Sequence, residues 1–353
     1  MSKMLEEIRE QPATLERTLA EARSSVAALR RRLEQTPPRL VVLVARGTSD
    51  NAAVFGRYLI PISTGLHVSL AAPSTLTLYG SELDYRDTLV VGISQSGEST
   101  DTNFVLERAR HHGAITVGIT NEASSSTARL AEHVFLVHAG REKSVAATKT
   151  YTGQLLMLYL LAHALGARFS LDDLAWLPDR VAEALKLERA IAVLAPRYCF
   201  MRHAVVVGRG LNYANAFEFA LKLMETCYVV AERFSSADFL HGPIAMVEPS
   251  FPAFLFAPAG VTWPAIRDLT AKLDQLKAET LIITDRGNPE AARHLGHSII
   301  LPSLRTRKRT SPVDLYTPIP YVIPAQLLAA CLAKEKGFDP DHPRTLTKVT
   351  RTL

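Results

Sequence analysis

Cysteine and long apolar runs are both scarce in this 353-residue chain, and each scarcity removes a class of protein. Its three thiols, Cys199, Cys227 and Cys331, are an odd number without metal-ligand spacing. They read as reduced and mostly buried residues, and neither a disulfide framework nor a metal site is expected. No stretch approaches the roughly 18 uninterrupted apolar residues of a membrane span. The N-terminus, Met1-Ser2-Lys3-Met4-Leu5-Glu6-Glu7-Ile8-Arg9, mixes both charge signs and has no apolar core of signal-peptide length, so a cytoplasmic protein is expected. A dominant charge is missing too: 40 basic residues stand against 35 acidic ones, a net charge of +5. The basic clusters Arg30-Arg31-Arg32 and Arg305-Thr306-Arg307-Lys308-Arg309 carry no interleaved aromatics and no recognition helix, so they read as solvated surface and not as a nucleic-acid interface. What is present, 47% hydrophobic and 21% charged residues, is the composition of a soluble globular protein with room for two ordinary domains.

Apolar β-branched runs recur and alternate with helical stretches. The first half offers Leu40 to Ala45, Thr88 to Ile93, Ile115 to Ile119 and His133 to Val137; the second offers Ala204 to Gly208, Ala253 to Phe256, Thr280 to Ile283 and Ser298 to Leu301. Short uninterrupted runs of this kind suit strands buried on both faces of a parallel sheet, and the alternation predicts an α/β fold with helices on both sides. Ala204-Val205-Val206-Val207-Gly208-Arg209-Gly210 echoes Val41-Val42-Leu43-Val44-Ala45-Arg46-Gly47, so one α/β unit is duplicated. The expected organisation is a helical segment over 1–37, a first domain over 38–166, a helical connector over 167–198, a second domain over 199–336 and a polar tail over 337–353 that could be disordered.

Where the run Thr88 to Ile93 hands over to a helix stands Ser94-Gln95-Ser96-Gly97-Glu98-Ser99. Hydroxyls and a glycine at a helix start suit an oxyanion, because unpaired backbone N–H groups and the helix dipole converge there. The same residues also suit a helix cap, since Ser96 to Ser99 has nearly capping-box spacing. A second hydroxyl turn, Gly47-Thr48-Ser49, falls at the carboxyl end of the first strand, where doubly wound sheets bind ligands, and this favours an anion site with phosphate preferred. The second half brings Glu218, Lys222 and Glu225 to one face of a helix, either as an ion-pair row or as a proton-transfer group. His241 sits in a turn closed by Gly242-Pro243 that presents the imidazole.

These residues resemble the sugar isomerase (SIS) domain proteins, and among them the isomerase half of glucosamine-6-phosphate synthase and its ammonia-releasing relatives. The resemblance runs through Glu7 to Pro12, Gly47 to Ser49, Ser94 to Glu98, Val145-Ala146-Ala147-Thr148-Lys149, Ala220 to Glu225, Leu240 to Pro243 and Pro343 to Thr350. It implies two tandem SIS subdomains of flavodoxin-like doubly wound type, with a helical lead-in and a C-terminal tail acting as a lid. It implies that Gly47, Thr48, Ser49, Ser94, Gln95, Ser96 and Ser99 hold the phosphate of a hexose 6-phosphate, with Val145 and Ala147 in the sugar-contacting segment. Glu225 would be the base that moves a proton between C1 and C2, with Lys222 beside it. His241 would open the sugar ring from the neighbouring subunit of a homodimer, and Lys348 would be the lysine able to form a Schiff base. Arg46 and Ala147 depart from the synthase, which has a cysteine and a serine there.

Because Met1 is followed by Ser2 and only about 37 residues precede the first strand, no glutaminase is expected. The resemblance then implies a glucosamine-6-phosphate deaminase that needs no metal or other cofactor. A deglycase or deaminase/isomerase acting on a fructosamine or galactosamine phosphate is the alternative within the fold, and a non-catalytic sugar-phosphate sensor the alternative outside catalysis. No nucleic-acid or membrane partner is expected.

Overall fold

Unbroken runs of valine, leucine and isoleucine cannot lie on a solvent-facing sheet, and in the computed structural model they form the centres of two parallel five-stranded sheets. The structure describes residues 2–294, 296–304 and 314–348. The first sheet comprises β1 (Leu40–Ala45), β2 (His67–Leu70), β3 (Thr88–Ile93), β4 (Ile115–Thr120) and β5 (His133–Leu136), in the order β2-β1-β3-β4-β5. The second comprises β6 (His203–Gly208), β7 (Val230–Ser235), β8 (Pro252–Phe256), β9 (Glu279–Asp285) and β10 (His297–Leu301), in the order β10-β9-β8-β6-β7. Read from its other edge, the second order repeats the first, so the duplication expected from sequence is a duplication of topology. Every strand pair is parallel, and β3 and β4 are buried along their whole length.

The chain divides into two compact units that do not follow chain order. One holds Ala13–Glu142 and Ala147–Ala175, with the described residues from Leu346 onward; the other holds the residues up to Pro12, Lys143–Ala146 and Trp176–Thr345. In the first unit Val42, Val44, Val90, Val105 and Leu106 pack in one apolar cluster. In the second, Val205, Val207, Leu255, Ile266 and Ile282 do the same. The second unit also contains the helix Pro318–Glu335, which is buried from Pro318 to Ala333. Among the described residues no helix is long and apolar enough to cross a membrane.

The segment over 1–37 is helical as expected, in three helices, Lys3–Arg9, Gln11–Glu21 and Arg23–Gln35, and Pro12 has no N–H with which to continue the first. Three sequence expectations need correction. Strands β2 and β7 went unseen: both are edge strands that carry polar or charged residues, Ser69 in one and Glu232 and Arg233 in the other, so neither reads as an apolar run. The polar tail is tied down as far as it is described. Asp341 accepts hydrogen bonds from the amides of Lys3 and Met4 at 2.7 and 2.8 Å, and the Arg344 guanidinium stacks 4.5 Å over the Tyr228 ring. The capping-box reading of Ser96 and Ser99 also fails: Ser99 is the N-cap residue of Thr100–His111, but its side chain makes no capping bond. All three cysteines are free thiols, with Cys227 and Cys331 buried. The basic cluster Arg305 to Arg309 lies outside the described residues.

Gly208 ends β6 where the chain turns back to start the helix Tyr213–Cys227. A Cβ there would stand 2.4 Å from the Asn212 carbonyl oxygen and 2.8 Å from the Tyr213 Cα, both backbone atoms that cannot step aside. Gly208→Ala should therefore destabilise the protein by about 2–4 kcal/mol through overpacking. Urea denaturation gives the check, and an unchanged midpoint would disprove this close approach.

Candidate functional site

Register brings the two hydroxyl turns together. β1 and β3 are neighbours with Ala45 opposite Ile93, so the chain leaves both strands side by side at the carboxyl edge, at the point where strand order reverses. From β1 it passes through Arg46 and Gly47 into the helix Thr48–Thr64, of which Gly47 is the N-cap and Thr48 and Ser49 the first residues. From β3 it passes through Ser94 to Ser99 into Thr100–His111. Two helix N-termini, with their partial positive charge, thus start from adjacent strands.

The hydroxyls are arranged as acceptors toward the protein, which leaves their protons to be donated elsewhere. Ser94 Oγ accepts from the Gly97 amide at 3.1 Å, and Ser96 Oγ from the Glu98 amide at 3.3 Å. Ser49 Oγ, buried, accepts from Gln154 Nε2 at 2.9 Å. Gln95 is half-buried and its carbonyl accepts from the Asn121 amide at 3.1 Å, which fixes the loop from behind. Gly97 has φ of +67°, and a Cβ there would lie 2.2 Å from Ser125 Oγ, so the loop needs glycine on two counts. The acidic Glu98 is turned away, accepting from both the amide and the hydroxyl of Ser126 at 2.8 Å.

The same unit holds Lys348, which donates at 3.1 Å to Glu142 Oε2. Glu142 is buried and also accepts from the Thr148 amide at 2.8 Å, the Thr150 amide at 3.2 Å and the Thr150 hydroxyl at 2.6 Å. Burial alone would push its carboxyl up; the Lys348 charge and these three donors outweigh that and hold it below its ordinary value. Glu142 therefore shapes the chain around Thr148, next to Ala147, which is half-buried like Val145.

In the other unit the helix Tyr213–Cys227 is buried on most of its faces. Lys222, fully buried, places its Nζ 2.5 Å from Glu225 Oε2 and 3.5 Å from Glu218 Oε1. Glu218 is fully buried too, whereas the Glu225 side chain is 20% exposed and is the carboxylate a solute could reach. His241 does not lie on this helix. It is exposed at the C-cap of the short helix Ser236–Leu240, and the turn continues through Gly242 at φ of +135°.

Sequence reasoning passed over Glu142, Gln154 and Asp101, each buried and polar and none part of a recognisable pattern; their role is visible only in their partners. The duplicated half gives a second lesson. At the 163-residue offset that relates Gly47 to Gly210, the counterpart of Ser94 to Ser99 is Ala257-Pro258-Ala259-Gly260-Val261-Thr262. The glycine remains, with φ of +123°, while three of the four hydroxyl or amide side chains are gone. The second half's loop thus lacks the row of side-chain donors that the first half's loop carries.

A model of the SIS domain matches the chain twice, over residues 36–164 and 201–332. The isomerizing glutamine–fructose-6-phosphate aminotransferase of Pyrococcus horikoshii is 35% identical over 98% of this chain and 57% of its own length. The enzyme of the same name from Aquifex aeolicus is 34% identical, with the same coverage. The chain thus spans a little over half the length of these curated relatives. Among solved structures, the C-terminal domain of glucosamine-fructose-6-phosphate aminotransferase from Francisella tularensis superposes with a TM-score of 0.87 at 26% identity, covering 97% of this chain and 98% of that one. Glucosamine-6-phosphate deaminase from Thermotoga maritima shares the fold, with a TM-score of 0.75 at 22% identity over 99% of this chain and 100% of that one.

The Glu142 cluster yields a pH signature. A carboxyl whose folded pKa is depressed stabilises the fold fully above its ordinary value of 4.5, and that stabilisation is lost as pH falls through the folded value. Glu142→Gln should cost about 3 kcal/mol at neutral pH by breaking a buried pair. The gap from wild type should close under acid conditions, as measured by denaturant titrations across pH, and a gap independent of pH would contradict the assignment.

Proposed function

We propose that this chain, which belongs to the SIS domain family, converts glucosamine 6-phosphate and water to fructose 6-phosphate and ammonia. The observation that carries the reading is the Lys222–Glu225 pair: a buried ammonium 2.5 Å from the one reachable carboxylate on an otherwise packed helix. An ion pair serving only stability would gain little from such burial, since removing both charges from water costs more than a surface pair returns. Proton transfer, in contrast, needs a carboxylate fixed in direction, with a cation to balance the charge that develops nearby.

In this reading the serine loops and the two helix N-termini hold the phosphate. His241, from a second copy of the chain in a homodimer, passes a proton to the ring oxygen, and the sugar opens to its aldehyde. Glu225 then takes the C2 proton and returns it to C1, so that the C2 amine becomes a C2 imine. Water adds to the imine and ammonia leaves, giving the ketose. Lys348, oriented by Glu142, can engage the C2 carbonyl as a Schiff base, releasing one water. The relatives named as isomerizing aminotransferases support the same C1–C2 chemistry.

The purified chain should release ammonia and a ketose phosphate from glucosamine 6-phosphate. Galactosamine 6-phosphate and a fructosamine 6-phosphate, run in parallel, separate this activity from the other amino-sugar activities of the fold. Glu225→Gln should lower kcat by about 10²–10⁴ while binding stays within about threefold. Binding of a hexose phosphate with no turnover of any of the three sugars would make the chain a sensor, and wild-type kcat in Glu225→Gln would remove the proposed base.

A further inference from the structure

The proposed reaction uses neither Arg46 nor Asp101, yet the two join the serine loops. Arg46 is the single residue between β1 and Gly47, and Asp101 lies in the first turn of Thr100–His111. Arg46 Nε and Nη2 both donate to Asp101 Oδ2, at 2.9 and 2.5 Å. The Asp101 side chain is only 5% exposed, and its Oδ1 has no hydrogen-bond partner. The guanidinium is half exposed. Asp50, in the first turn of Thr48–Thr64, also feels it: burial pushes the Asp50 carboxyl up and Arg46 opposes that.

Each helix that would hold the phosphate therefore carries a carboxylate in its first turn. Such carboxylates are favourable for the bare helix, because they complement its dipole, but they compete with a bound dianion for the same field. Glu98 is kept from the cradle by its two bonds to Ser126. Asp101 has no comparable set of donors; what it has is Arg46.

We propose that Arg46 is a positioning residue of the anion cradle: by binding Asp101 it neutralises that carboxylate and holds it in place, so that phosphate affinity falls when Asp101 is left charged and unpaired. The inference rests on the reading of the cradle as the sugar-phosphate site and adds to it what balances the site's charge. It differs from direct phosphate binding by Arg46, and the two are separable. If Arg46 acts through Asp101, the harm done by its loss comes from the carboxylate left unpaired, and removing that charge as well repairs it.

The test is isothermal titration of the full chain with inorganic phosphate and with fructose 6-phosphate, for wild type and for R46A, R46K, D101N and R46A/D101N. R46A should weaken both ligands about tenfold, and R46K by less. R46A/D101N should recover to within about threefold of wild type, a coupling that independent sites would not show. In turnover, R46A should raise KM about tenfold with kcat within about threefold. Should R46A prove too unstable to titrate, D101N and the double variant, which bury no unpaired charge, carry the comparison: near-wild-type affinity in both supports the proposal. Unchanged phosphate affinity in R46A overturns it, as does a double variant as weak as R46A, which would put the guanidinium on the phosphate itself. Wild-type protein that binds neither ligand overturns the cradle reading, and this inference with it.

Discussion

The alignment of two neighbouring strands sets where both hydroxyl turns and both helix N-termini of the first sheet begin. With Ala45 opposite Ile93, β1 and β3 end level with each other, and everything that follows either strand begins from the same edge. A slip of one residue would turn Ser94 and Arg46 toward opposite layers and would bury polar groups in the sheet's flanks. That alignment is secured by the apolar residues on both faces of both strands. Packing thus sets the geometry, and the loops inherit it.

Burial of charge is the second organising constraint. Lys222, Glu218, Glu142 and Asp101 are all removed from solvent, and each lies beside a group of opposite charge. Pairs of this kind contribute little net stability, because desolvation consumes most of the attraction, but they hold a side chain in one direction. The same trade appears in neutral form at Ser49, whose buried hydroxyl is oriented by Gln154. In each case a buried polar group is held in one direction by its partner.

The sequence revealed the architecture because buried parallel strands have a signature: eight of the ten strands are runs of apolar residues. The two it concealed, β2 and β7, lie at sheet edges, where one side meets solvent and the apolar run is broken. Among site residues, those in local patterns were legible, as in the serine loop, the Lys222–Glu225 spacing and the turn around His241. Glu142 was not, because its partners lie six, eight and 206 residues away, and nothing near Glu142 in the chain announces them. Asp101 was hidden in the same way, since the partner that explains it, Arg46, is 55 residues distant. The helical segment before β1 shows its apolar periodicity in the sequence, while its division into three helices does not follow from that periodicity.

The loop after β8 keeps the glycine of its twin after β3 but replaces three of its polar side chains with alanine and proline. Gly97 has φ of +67° and Gly260 +123°, so the two loops share a glycine and a place at a strand end but differ in backbone as well as in side chains. The edge after β8 therefore offers a ligand fewer side-chain donors than the edge after β3, although the two sheets share one topology.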